Sequence, residues 1–254
     1  MNPNLPLRFP LLALVFLASR AVGGDLRQLS TDRPDTTESP FTVDAGHFQF
    51  EMEIATLSRD GDNREFSLGE LNAKIGLDAC NDLQLVLPFY RHTRAADEGF
   101  GDMQMRLKHN FWGNDGGDTA LALLPFIQLP TANGDAGSGK VEGGIIIPFA
   151  FSGPGDLAFG VQAEADLVTR DNGSHDVDFL SSATASHPIT ANTGAFVEVV
   201  GIVTTDSTSD WEAYFNTGLT WLPTPTWQLD GGIRVGLTDL SVGFSPFVGI
   251  STKF

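Results

Sequence analysis

Phe244-Ser-Pro-Phe-Val-Gly-Ile-Ser-Thr-Lys-Phe254 closes the chain, and its two-residue rhythm decides the fold. Phe244, Pro246, Val248, Ile250, Thr252 and Phe254 fall on one face, and Ser245, Gly249, Ser251 and Lys253 on the other, where Phe247 is the exception. Successive strand side chains point to opposite faces, so one face is greasy and one largely polar. The same rhythm runs backwards through the chain. Trp227, Leu229, Ile233, Val235 and Leu237 alternate with Gln228, Asp230 and Arg234; Trp211 to Trp221 and Leu83 to Phe89 behave likewise. Twelve such stretches are read, at 46–57, 66–78, 82–92, 101–112, 119–129, 140–151, 156–169, 178–187, 193–204, 210–221, 226–237 and 243–254. Strands of about ten residues with alternating hydrophobicity, separated by turn residues, mark a membrane barrel. The expected fold is all-β: a transmembrane antiparallel up-and-down β-barrel of about twelve strands. The second stretch breaks the phase, because Phe66 and Leu68 do not match Leu71, Ala73, Ile75 and Leu77, and a bulge or a later strand start would repair it.

The connectors check this reading. With the N-terminus in the periplasm, every second connector should be short, and Ala79–Asn81, Gly113–Asp118, Ser152–Gly155, Pro188–Asn192 and Leu222–Pro225 are. The alternate ones, such as Ser58–Arg64, Pro130–Gly139 and Arg170–Val177, are mostly longer and rich in Asp, Gly and Asn. Trp112, Trp211, Trp221 and Trp227 lie at strand ends, where interfacial aromatics belong. Phe9–Ala18 is a continuous apolar run preceded by Arg8 and followed by small residues, too short to span and suited to a signal peptide over 1–23 that is cleaved near Ala21 or Gly23. Residues 24–45 then form a periplasmic segment that could plug the lumen of a barrel over 46–254. The single Cys80 cannot form an internal disulfide. Formal charge is 15 − 32 = −17, or 13 − 32 = −19 without Arg8 and Arg20. This acidity excludes nucleic acid as a partner, since phosphate binding needs basic clusters. It suits either a cation-attracting lumen or acidic loops bridged to lipopolysaccharide by divalent ions.

Three patches resemble one bacterial family. They are Leu29-Ser-Thr-Asp-Arg-Pro-Asp-Thr-Thr-Glu-Ser-Pro40 with Val43, Gly46 and Gln49-Phe-Glu51; Gly99-Phe-Gly-Asp-Met-Gln-Met-Arg-Leu-Lys108; and Leu129-Pro-Thr-Ala-Asn-Gly-Asp-Ala-Gly-Ser-Gly-Lys140 with Gly143, Gly144 and Pro148. Leu229-Asp-Gly-Gly-Ile-Arg-Val-Gly-Leu237 is a fourth, weaker match. The chain is similar here to the outer-membrane transporters named after the MetA pathway of phenol degradation. The resemblance implies a single β-barrel in the outer membrane and passage of small solutes, hydrophobic or aromatic compounds among them. It supplies no catalytic residue.

Strand parity aims a polar set inward: Glu51, Glu53, Asn72, Lys74, Gln84, Asp102, Gln104, Arg106, Lys108, Glu142, Gln162, Glu164, Asp166, Glu198, Glu212, Asp230 and Arg234. These are either a structural charge network or a path that binds or filters a solute. Asp32, Arg33, Asp35 and Glu38 are the candidate plug, with Arg33 placed to meet lumen carboxylates. Pro125 and Pro148 each delete a ladder donor and, by symmetry of the hairpin over 130–139, lie near one another on adjacent strands. They suggest either two tolerated bulges or a lateral seam marked by a bulge or widened strand spacing. Phe254 on the apolar face resembles the signal read by barrel assembly machinery, and membrane lipid and lipopolysaccharide are the other expected partners. No cofactor or metal is expected: His47, His92, His109, His175 and His187 form no spaced ligand set. Gly134–Gly139 lacks the strand–loop–helix context of a phosphate cradle. Channel or transporter is the first functional reading, a structural or surface-interaction barrel the second, and an outer-membrane lipid-modifying enzyme the third.

Overall fold

The computed structural model describes residues 26–60, 63–93, 99–133, 136–170, 173–205 and 211–254. The expected signal peptide lies outside them. Twelve strands follow one another: β1 Phe48–Asp60, β2 Asn63–Gly76, β3 Asn81–Thr93, β4 Met103–Trp112, β5 Thr119–Leu129, β6 Glu142–Ser152, β7 Ala158–Thr169, β8 His175–Thr190, β9 Thr193–Thr204, β10 Glu212–Thr224, β11 Trp227–Gly236 and β12 Phe244–Lys253. Each pairs antiparallel with its sequence neighbours, and β12 returns to β1, so the sheet is a closed barrel. Closure leaves no edge, which is what a sheet in hydrocarbon requires. Phe254 seals the join: its N–H donates to Phe48 O at 2.9 Å and its carbonyl accepts from Phe48 N at 3.1 Å.

The burial pattern inverts that of a water-soluble protein. The largest fully buried side chains include Lys108, Gln49, Gln84, Glu51 and Glu198, whereas Leu57, Leu77, Phe111, Leu167, Phe179, Val203 and Leu219 are exposed. Large apolar side chains face outward on every strand because the solvent there is lipid. An apolar band of this kind around a closed barrel places the chain in the bacterial outer membrane.

The broken phase of the second strand is matched by a bulge in β1 rather than by one in β2 or by a later start of β2. Glu53 pairs with Gly249 and Ala55 with Val248, so β1 carries one extra residue, Ile54, against β12. The step continues sideways without a register change in β1–β2 or β2–β3, where Gly69 and Phe89 are passed over in the same row. Gly69 sits at φ +68°, and a Cβ there would stand 3.0 Å from the Phe89 ring. Beyond the step Leu57 and Leu68 face lipid, while Thr56 is buried. The connector expected at Ser58–Arg64 shrinks, because β1 and β2 continue as a paired hairpin to Asp60 and Asn63. Likewise β8 is longer than 178–187. Polar residues beyond the membrane pair their backbones as well as apolar ones do, so hydropathy underestimates these ends.

The bulge expected at the prolines is not present. Pro125 does face Ile145, but the β5–β6 register runs unshifted from Thr119–Phe151 to Gln128–Glu142, without the expected bulge. Ladder pairing instead lapses between Leu121–Phe149 and Leu124–Ile146, the stretch that contains Pro148. The prolines also occupy opposite faces, Pro148 fully buried inside and Pro125 exposed outside. A proline can simply omit its donor where two strands keep step.

Candidate functional site

The segment before β1 enters the barrel, and its backbone explains how. Pro34 and Pro40 interrupt it and forbid a regular ladder, so its N–H groups need other acceptors. Inward side chains of the wall supply them. Glu51 on β1 accepts from Asp32 N at 2.9 Å and Arg33 N at 3.1 Å. Glu198 on β9, across the lumen, accepts from Thr36 N at 2.9 Å and Thr37 N at 2.7 Å. Gln162 on β7 takes Glu38 N at 2.6 Å, and Asp82 on β3 takes Val43 N at 3.0 Å. Two carboxylates, four strands apart around the wall, thus each clasp consecutive amides of one strap.

Charge pairing fixes the strap further. Asp32 receives Lys108 at 2.6 Å and also Lys74, which bonds Glu51 as well. Arg33 reaches Asp230 at 2.8 Å and Glu53 at 3.3 Å; Glu38 meets Arg106 at 2.6 Å. Lys108 also donates to Ser39 O at 2.6 Å. Burial alone would raise the Asp32 carboxyl, but Lys108 and Lys74 hold it well below its usual range. Asp35 has no such partner. Burial, then Glu198, pushes it up to about 8; burial and Asp32 push Glu38 to about 8 despite Arg106.

Phe247, the exception in the closing strand, points into this network. Its ring packs under two guanidiniums, Arg234 at 4.8 Å and Arg33 at 5.9 Å from the centroid. An aromatic in the polar phase of a barrel strand was therefore a readable signal of a cation on the inner face.

The strap divides the lumen. Toward the long connectors lies a vestibule of about 420 Å³ that reaches Ser58, Tyr214 and Val242. Toward the short connectors lies one of about 440 Å³ that reaches His187, Asn192 and Leu222. Arg33, Pro34, Asp35 and Glu38 line both, so they form the septum. A third space of about 450 Å³ lies beside β3 and β4 under the connector after β5.

The inward residues named from parity divide accordingly. Glu51, Glu53, Arg106, Lys108, Glu198, Asp230 and Arg234 surround the strap. Asp102 precedes β4 and clamps the following connector, accepting from Ala132 N at 3.0 Å and Ser138 N at 2.7 Å. Glu142 accepts from Thr169 N at 2.8 Å, Glu164 from Gln162 at 2.7 Å, and Glu212 from Tyr214 at 2.5 Å. Parity did not single out Asp44, which ties the base of the strap to Arg27 at 2.8 Å and Lys253 at 3.0 Å. Nor did it give Asn114, whose turn position carries no periodic signal but which accepts from Thr42 N at 3.0 Å. Among the described residues no group of three or more His, Cys, Asp or Glu converges as a metal site.

Comparison with known proteins agrees with this architecture. The fold is similar to the COG4313 outer membrane channel from Pseudomonas putida F1, with a TM-score of 0.63 and 14% identity over 89% of this chain and 100% of that one. It is also similar to the NanC porin (TM-score 0.58, 11% identity, 82% and 100% covered) and the KdgM porin (0.53, 10%, 82% and 99%). A sequence search of curated proteins finds no match. The profile of one family matches residues 31–254, strap and barrel together, and the chain belongs to that family, described as "Putative MetA-pathway of phenol degradation".

Proposed function

We propose that this barrel is a channel for small solutes, gated by its own N-terminal strap, with hydrophobic or aromatic compounds among its cargo. The observation that carries the reading is the shared septum: Arg33, Pro34, Asp35 and Glu38 bound both vestibules. A solute crossing the barrel must displace or pass these residues. A strap held by hydrogen bonds and ion pairs can be released in a way that a covalent wall cannot. The aromatic preference rests on family membership. The charge network serves two roles in this reading, anchoring the strap and lining the path.

A lateral exit is supported by one further observation. Ala122, Leu124 and Ile146, with Phe126 against them, make the inner face apolar at the stretch where β5–β6 pairing lapses. A greasy solute would find compatible surface there. Restoring donors with Pro125→Val and Pro148→Val should slow its uptake and leave a hydrophilic solute unaffected; equal effects on both would reduce the prolines to local kinks.

The test of the main reading is conductance across planar bilayers, together with uptake of a labelled aromatic compound by proteoliposomes. Both should exceed the protein-free controls. If neither does, while deletion of the long connectors abolishes a surface phenotype, the barrel is a structural or interaction protein instead.

A further inference from the structure

Charge in this lumen is one-sided. Lys74, Arg106, Lys108, Arg234 and Lys253 project from β2, β4, β11 and β12. Strands β5 to β10 contain no lysine or arginine at all. Yet their inward positions carry Glu142, Glu164, Asp166, Asp178, Glu198 and Glu212. Arg170, from the connector after β7, reaches Asp178 at 2.7 Å, and Glu198 is occupied by amides of the strap. The side of the lumen formed by β6 to β10 therefore carries carboxylates and no strand cation, and low-dielectric surroundings focus their field on the path.

The outer vestibule repeats this bias at close range. Each guanidinium lining it already has a carboxyl partner: Arg33 binds Asp230 and Glu53, Arg106 donates to Glu38, and Arg234 lies 3.5 Å from Glu53. Acceptors are left over. Asn216 is 1% exposed and its Oδ1 has no hydrogen-bond partner, and the Asn72 Oδ1 is in the same condition. Glu38 Oε2 is a third such oxygen on this lining, and among the described residues that line the cavity the one buried nitrogen without a partner is Arg33 Nε. Leu180, Val200 and Ile202 from β8 and β9 form an apolar strip in the same cavity. At about 420 Å³ the space is of the size that holds a small organic molecule.

A guest here finds hydrogen-bond acceptors, negative potential and an apolar strip. A carboxylate guest would have to displace a carboxylate from its arginine or lie unpaired beside the acidic wall, and both are costly in a confined space. A protonated amine supplies the missing donors and leaves every ion pair intact. We infer that the path selects protonated amines with an apolar body over carboxylates of the same size. This inference rests on the channel reading and names the solute class that the channel prefers.

The test is the reversal potential of the purified full barrel in planar bilayers, under a gradient of benzylammonium chloride and, separately, of sodium benzoate. Benzylammonium should carry the current in the first case, and sodium rather than benzoate in the second, each by about fivefold or more in permeability. Glu164→Gln with Asp166→Asn should cut the amine preference by at least about twofold. A reversal potential of opposite sign, or a preference unchanged in that variant, would overturn the inference while leaving a channel in place. Absence of conductance above the bare bilayer with either salt would instead remove the channel reading itself.

Discussion

Glu198 shows how one side chain can decide the state of the strap. It is 1% exposed and accepts four hydrogen bonds, from Thr36 N, Thr37 N, Thr37 Oγ1 and Asn216 Nδ2. Hydrogen bonds to a charged group contribute roughly 1.5–3 kcal/mol each, and buried donors stripped of their acceptor cost about 1–3 kcal/mol each. Glu198→Ala should therefore release the strap near Thr36 and raise channel open time by at least about tenfold, with barrel stability nearly unchanged. Single-channel recording measures the first and heat-modifiable gel migration the second. Lys108 behaves differently. It lies fully buried between Asp32 and the Ser39 carbonyl, so Lys108→Met leaves Asp32 with Lys74 alone and the Ser39 carbonyl without its donor, at a cost of about 1–3 kcal/mol read as a lower unfolding temperature in detergent. Inward parity made both residues legible in the sequence. Their partners were not: nothing in periodicity says that Glu198 meets backbone amides 161 residues away.

At the scale of elements, strands and strap obey different rules. Strands are written in alternation, and all twelve could be read from it; only the row at Ile54, Gly69 and Phe89 and the polar strand ends moved their limits. The strap has no period, since its backbone is satisfied by side chains of many strands. Its place in the lumen could be anticipated only from Arg33 and the family motif. Its charge chemistry gives it a pH response. Asp35 and Glu38 have carboxyls pushed up to about 8 in the seated strap, against 3.8 and 4.5 in water. The seated state therefore keeps protons that the released state has lost across that window. Seating weakens as pH rises from about 4 towards 8. Asp32 has the opposite sign: its depressed pKa stabilises seating above 3.8, an advantage lost only in stronger acid. Conductance should thus increase from about pH 5.5 to about pH 8.5, and Asp35→Asn with Glu38→Gln should flatten the rise. A profile that stays steep in the double variant would assign the response to wall residues.

The whole molecule joins a closed wall to a strap seated inside it by hydrogen bonds and ion pairs. Closure follows from twelve paired strands and from Phe254 bonded back to Phe48, so the wall withstands changes that loosen the strap. The strap's own chain supplies the septum between two vestibules, and the central claim is that transport requires it to move. Thr37 Oγ1 on the strap lies 2.7 Å from Ser182 Oγ on β8, so the two side chains meet and cysteines at these positions are brought together for oxidation. Thr37→Cys with Ser182→Cys, in a Cys80→Ser background that removes the exposed native thiol, would tether the strap to the wall. The decisive measurement is conductance of this variant before and after reduction. The account predicts conductance near the bare-bilayer level when oxidised and a return to the parent level on adding dithiothreitol. Equal conductance in the two states, with the disulfide verified by mass spectrometry, would contradict it.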